Sequence, residues 1–257
     1  MANWNDNPQT RQGLGVSPRQ TGDLSGATVM DAGLRAHMLS IYNYMASGVL
    51  LTGIVAMAAF NLGYAVTFAS GPLMWIVALS PLAIVMAMSF GQGKFSTGTL
   101  QAMFWGFAVL MGLSMSTLFL RYTGGSIAST FLATSAAFAG LSLFGYTTKK
   151  SLSGMGSFLI MGVVGLLVAM VINIFLKSPG LMYAISFLGV LIFAGLTAYD
   201  TQRLKQQYLE VAQASQFNPA VAAAYPLGKM VIMGALTLYL DFINMFQFLL
   251  SFMGNRN

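Results

Sequence analysis

MGSFLIMGVVGLLVAMVINIFL, residues Met155–Leu176, carries no charged side chain. At the 1.5 Å rise of an α-helix it covers about 33 Å, enough to cross roughly 30 Å of hydrocarbon. It is apolar on every side, whereas a barrel strand alternates apolar and polar residues over a much shorter length, so a spanning helix is the reading. Six further runs share this character: Ile41–Leu62, Leu73–Phe90, Leu100–Leu120, Ile127–Phe144, Leu181–Tyr199 and Met230–Met253. With 56% hydrophobic and 7% charged residues and a mean hydropathy of +0.72, the chain lacks the polar surface of a soluble globule. The predicted fold is an all-α integral membrane bundle of seven transmembrane helices.

Basic residues divide unevenly across these spans. One side takes Arg11, Arg19, Arg35, Lys94, Lys149, Lys150, Arg203, Lys205 and Lys229, and the other takes Arg121, Lys177 and Arg256. Nine against three places the N-terminus in the cytoplasm and, with seven spans, the C-terminus outside. A re-entrant seventh span would return the C-terminus to the inside. The net charge of +6 is therefore a topology signal. No basic cluster exceeds two residues, which argues against a nucleic-acid partner.

Residues 1–36 are rich in Asn, Gln, Thr, Ser, Gly and Pro and have neither an apolar core nor a small-residue cleavage site. They read as a disordered cytoplasmic tail rather than a signal peptide, ahead of a transmembrane domain over residues 37–254. The connection Leu204–Leu227 reads as a helical extension of span six that breaks near Asn218-Pro219, with a second turn at Tyr225-Pro226. Without cysteine the chain has no disulfide and no thiolate metal site. The single histidine, His37, reads as a solvated interfacial side chain, and the scattered methionines read as core filler. Gly162, Gly165, Gly189 and Gly195 are expected to let helices approach closely. Pro81 should bend span two and free a carbonyl that Ser80 or a neighbour must satisfy. Trp75 and Trp105 fit an interfacial aromatic belt.

Of the six acidic residues, only Asp200 and Asp241 fall inside or against apolar runs. An Asp at the centre of a membrane helix costs roughly 2.5–3.5 kcal/mol on insertion scales, so both are candidates for function. Thr237, Asp241 and Asn244, spaced by four and three, share one helix face. Asp200 lies about one turn inside the edge marked by Arg203, whereas Asp241 lies about 18 Å along its helix from Lys229. They meet only if a helix tilts or if span seven starts further out than Lys229. Two carboxylates in contact in a poorly hydrated site share a proton. Deprotonated, they would repel and offer hard oxygen ligands to a divalent cation such as Ca2+, weakly and transiently, as a permeation path requires.

The runs Tyr146-Thr147-Thr148-Lys149, Gly195-Leu196-Thr197-Ala198-Tyr199-Asp200-Thr201-Gln202 and Gly234-Ala235-Leu236-Thr237-Leu238-Tyr239-Leu240-Asp241-Phe242-Ile243-Asn244 closely resemble the Bax inhibitor-1 family, including its bacterial YccA-like members. That resemblance implies a seven-helix bundle with a central C-terminal helix. It also implies a pH-sensitive Ca2+ leak pathway in which Asp200 and Asp241 form the proton-sensing gate, without a bound cofactor. Thr237, Asn244, Tyr199 and Tyr239 are its expected polar support. Span two has no basic residue, where some bacterial relatives place an arginine that can pair with an aspartate. A bacterial cytoplasmic (inner) membrane is the expected location.

Two other classes compete. An intramembrane aspartyl protease uses two such acids, but the second acid of that class follows Gly-x-Gly, and here Tyr239-Leu240 precedes Asp241, so the chain reads as a non-enzyme. The YccA-like branch is also associated with modulating a membrane-bound ATP-dependent protease, for which the N-terminal tail could be the handle. Deleting residues 1–30 would separate that role from cation flux.

Overall fold

A computed structural model describes residues 18–256. The helices are α1 (Pro18–Asn61), α2 (Tyr64–Phe68), α3 (Gly71–Gly91), α4 (Thr97–Met115), α5 (Gly124–Thr147), α6 (Ser153–Leu176), α7 (Pro179–Phe217), α8 (Pro219–Ala224) and α9 (Leu227–Met253), with a 3-10 turn, Ser116–Leu120, closing α4. Among the described residues seven helical segments are long and apolar enough to cross a membrane: Met30–Asn61 of α1, then α3, α4 with its closing turn, α5, α6, α7 and α9. They match the seven runs read from the sequence.

Local chemistry sets the boundaries. Ser96, Thr123 and Ser178 cap α4, α5 and α7 by accepting the amide hydrogens of Thr99, Ser126 and Leu181. Pro179 occupies the first turn of α7. α6 stops at Lys177, whose left-handed φ of 49° ends the helical path. Inside α3, Pro81 leaves the Val77 carbonyl without its helical donor, and the Ser80 hydroxyl donates to that oxygen at 3.2 Å, as expected.

In a membrane, lipid tails are as apolar as leucine, so helices cohere through close packing and hydrogen bonds more than through hydrophobic burial. Gly112 brings α4 onto α1, because a Cβ there would meet the Thr52 carbonyl oxygen at 2.8 Å. Gly145 brings α5 onto α7, where a Cβ would collide with the Ala198 backbone. Among the glycines expected to pack, Gly162, Gly189 and Gly195 lie against Ile192, Phe248 and Leu159, while Gly165 faces open space.

α9 is the central element. Its apolar window is 72% buried, against 11% in α6 and 17% in α3. α1, α4, α5 and α7 all pack on it. It also runs the full depth of the bundle, unbroken. The Lys229 ammonium at its start donates to the Gln92 carbonyl just ahead of α4, and Asn255 beyond its end pairs with Thr123 and Ser126 just after α4. α9 therefore parallels α4 from end to end, and the re-entrant alternative does not hold. Arg35, Lys94, Lys149, Lys150, Arg203, Lys205 and Lys229 thus gather at one end, and Arg121, Lys177 and Arg256 at the other.

Three expectations change. The tail expected over residues 1–36 lies partly outside the described residues, and from Pro18 onward the chain is helical, continuous with the first span. Extending an existing helix adds one bond per residue fixed, which favours such continuation. His37 is not solvated: it is 6% exposed and stacked on Tyr208 at 4.8 Å, because α7 continues far past its membrane span and covers α1. Trp105 is half-buried against Tyr44 and Phe104 instead of lying free in an interfacial belt, while Trp75 is 61% exposed.

Candidate functional site

Asp200 and Asp241 lie within hydrogen-bonding reach of each other. The register of two antiparallel helices explains how. From Asp200, α7 continues to Phe217, about 26 Å at 1.5 Å per residue, and α9 returns from Leu227 to Asp241 over about 21 Å. Both acids are measured from the same turn region, Asn218–Pro226, and so arrive at nearly the same depth. α9 begins only two residues before Lys229, so what brings the acids level is the continuation of α7 well past Arg203 to Phe217 before the chain turns back.

Both carboxylates are buried, Asp200 at 7% and Asp241 at 4% exposure. An ionised carboxylate only accepts hydrogen bonds, so a direct bond between the two requires a proton between them. Arg203, one turn on, supplies the nearest cation, with Nη1 3.7 Å from Asp200 Oδ1. It comes from the same helix as its partner, not from span two. Oδ2 of Asp241 has no hydrogen-bond partner among the described residues.

A vestibule of about 440 Å³ opens at the basic end and reaches Asp200. Asp200, Arg203, Gln207, Tyr225, Lys229 and Thr237 line it, and Asp241 does not. Past Asp241, α9 presents Phe242, Met245 and Phe246, all buried, and Phe131 and Phe138 each meet the Phe242 ring edge-on at 5.6 Å. Toward the far end the path from the acids is thus filled with aromatic and methionine side chains.

The expected supporting residues divide. Thr237 lines the vestibule, although its hydroxyl donates to the Met233 carbonyl. Asn244 donates to the Leu240 carbonyl of its own helix at 2.8 Å. Tyr199 packs over Gly156 of α6, away from the pair. Tyr239, fully buried, shares a 2.6 Å hydrogen bond with the Thr52 hydroxyl, which donates to the Ala108 carbonyl at 2.8 Å. It ties α9 to α1 and α4 and sits edge-on to Phe107 at 5.0 Å. Asn244 and Tyr239 are therefore bonded elsewhere than to the acids, and Tyr199 packs away from them.

Residues not singled out in the sequence surround the other face of α7. Thr201 donates to the Ser142 hydroxyl at 3.4 Å, and the Tyr42 hydroxyl bonds with both. Gln202 clamps the α5–α6 turn, accepting from the Leu152 amide at 2.7 Å and donating to the Lys150 carbonyl at 2.9 Å. The run Tyr199-Asp200-Thr201-Gln202 thus serves four neighbouring helices, α6, α9, α5 and α1, from successive positions of one helix. Among the described residues no three His, Asp or Glu side chains converge. Calcium takes six to eight oxygen ligands, so two carboxylates suit passage better than storage.

Comparison with known proteins places the chain in a family. The profile of the family described as "Inhibitor of apoptosis-promoting Bax1" matches residues 34–257. The chain is 46% identical over 249 residues to an uncharacterized protein of Caulobacter vibrioides, covering 93% of this chain and 94% of the relative. It is 43% identical over 229 residues to protein RP147 of Rickettsia prowazekii, with 88% and 92% covered. It is 41% identical over 227 residues to the inner membrane protein YbhL of Escherichia coli, with 88% and 94% covered.

Proposed function

The chain belongs to the Bax inhibitor-1 family, and from that premise we propose that it is a pH-sensitive calcium leak channel gated by the Asp200–Asp241 pair. The observation that carries the reading is the mutual reach of two buried carboxylates on the two most intimately packed helices, α7 and α9. Protonated, the pair is a hydrogen-bonded clasp between those helices. Once the shared proton leaves, two like charges a few ångströms apart repel, and among the described residues Arg203 is the cation paired with them. Parting α7 from α9 extends the vestibule from Asp200 to Asp241 and loosens the aromatic fill around Phe242. The same event creates an anionic site for a divalent cation, with Thr237 at its entrance.

The chain sits in a bacterial inner membrane in this reading, as YbhL does by its name. The gathering of Lys and Arg at one end puts that end, with the N-terminus, in the cytoplasm. Both acids then face a cytoplasmic vestibule, so cytoplasmic pH sets the gate. The test is Ca2+ flux into liposomes across pH 5–8 for the native protein, Asp200→Asn, Asp241→Asn and the double variant. Flux that rises with pH in the native protein, and loses that dependence in each single variant, supports one shared latch. No flux at any pH, or variants that respond as the native protein does, would sink it.

A further inference from the structure

The bundle has a second large cavity, about 500 Å³, on the other side of α7 from the vestibule. It lies between α1 and α5, which both pack on α7 and α9 and make little contact with each other. Its walls are two helical stripes: Arg35, Met38, Leu39, Tyr42 and Met45 on α1 face Phe138, Ser142, Leu143 and Tyr146 on α5. The cavity is open sideways, toward the face of the bundle that meets lipid, and Leu39 and Leu143 on its walls are 50% and 64% exposed.

Length and charge identify an occupant. From Arg35 to Met45 the stripe runs about 15 Å, half of a roughly 30 Å hydrocarbon core, and so the depth of one leaflet. Its mouth is at the basic end. Arg35 is exposed there and forms no ion pair with a described residue, Asp31 one turn further out included. Across the mouth the Lys205 ammonium donates to the Tyr146 carbonyl at 2.8 Å and lies 5.0 Å over the Tyr146 ring. Two cations above an apolar slot between membrane helices match a phosphate headgroup above an acyl chain, and basic interhelical pockets of this kind bind anionic lipid headgroups.

We propose that the α1–α5 cleft is a binding site for an anionic phospholipid of the leaflet at the basic end, its phosphate at Arg35 and Lys205 and one acyl chain along Met38, Leu39, Phe138 and Leu143. The floor of the cleft includes Tyr42 and Ser142, both bonded to Thr201, the neighbour of Asp200. A seated chain therefore presses on the hydroxyl cluster behind the aspartate helix, which gives lipid composition a physical route to that helix. The binding site itself does not depend on the channel reading.

Native mass spectrometry of the full chain released from detergent, with phosphatidylglycerol or phosphatidylcholine as probe, tests the site without any flux readout. A photoreactive acyl chain on phosphatidylglycerol maps where the retained lipid lies. The expected result is preferential retention of phosphatidylglycerol, about five-fold weaker in Arg35→Gln, abolished in Ala139→Trp, which fills the slot from an exposed position, and crosslinks to Met38, Leu39 or Leu143. Retention unchanged in both variants, equal retention of the two lipids, or crosslinks spread around the whole belt overturns it. So does loss of a dimer instead of a lipid in Ala139→Trp, since a second copy would then be the occupant. A thermal-shift measurement of each variant confirms that the fold is intact, so lost retention reads on the site.

Discussion

Asp241 lies within hydrogen-bonding reach of Asp200 and yet outside the vestibule that Asp200 lines. The outer acid meets solvent and Arg203, while the inner one meets the outer acid and the packed interior of α9. A proton arriving from the basic end reaches Asp200 first. The pair is thus asymmetric, and its two members should fail differently when altered.

Asp241→Asn keeps a donor and an acceptor at the buried position, so the protein should fold with stability near the native value. Asp241→Leu leaves Asp200 buried without its partner, at a cost of about 1–3 kcal/mol. Chemical denaturation in mixed micelles measures both. Equal stability of Asp241→Leu and the native protein would show that the contact contributes nothing to the α7–α9 pairing.

Arg203 is largely exposed, with its side chain at 64%, and exposed ion pairs contribute about 0–1 kcal/mol. Arg203→Gln should therefore leave stability almost unchanged. Removing the cation paired with Asp200 should nevertheless favour the proton-sharing form, moving the rise of flux to higher pH in the liposome assay. A flux curve that stays in place, or moves to lower pH, would exclude Arg203 from the electrostatics of the gate.

Tyr239 and Thr52 make a case for measured coupling. Tyr239→Phe leaves the Thr52 hydroxyl with the Ala108 carbonyl as acceptor, so the loss should be about 0.5–1.5 kcal/mol. Thr52→Val leaves the fully buried Tyr239 hydroxyl unpartnered and should cost more, about 1–3 kcal/mol. The double variant should cost less than the sum, since the second change removes the orphan that the first creates. Strict additivity in the unfolding data would mean that the 2.6 Å bond does not join α9 to α1.

Much of this arrangement is legible in the residues. Uninterrupted apolar runs mark the spans, and the breaks at Asn218-Pro219 and Tyr225-Pro226 mark α8. The cost of an intramembrane Asp singles out the pair. The relative depth of the two acids is harder to read, because Arg203 marks where a side chain reaches water and not where α7 ends. His37, Trp105 and Tyr239 were opaque for a related reason: their partners Tyr208, Tyr44 and Thr52 come from other helices, and one helix's sequence does not state what packs on it. The α1–α5 cleft has no signature within either helix, being a gap left by how two helices lean on α7 and α9.

Phe242 provides the sharpest test of where the path is blocked. Its ring is held edge-on by Phe131 and Phe138, immediately past Asp241 toward the far end. If the shared proton closes the channel by keeping α7 and α9 packed, the aromatic fill is the barrier that remains below the pair. Phe242→Ala removes that ring and should pass Ca2+ at pH 5, where the native protein is shut, at a stability cost of about 3–5 kcal/mol. Phe242→Leu retains most of the fill and should stay shut at that pH, which separates loss of the plug from general loosening. Should Phe242→Ala remain folded and shut at pH 5, the barrier lies elsewhere, and the route from Asp241 to the far end would have to avoid this face of α9.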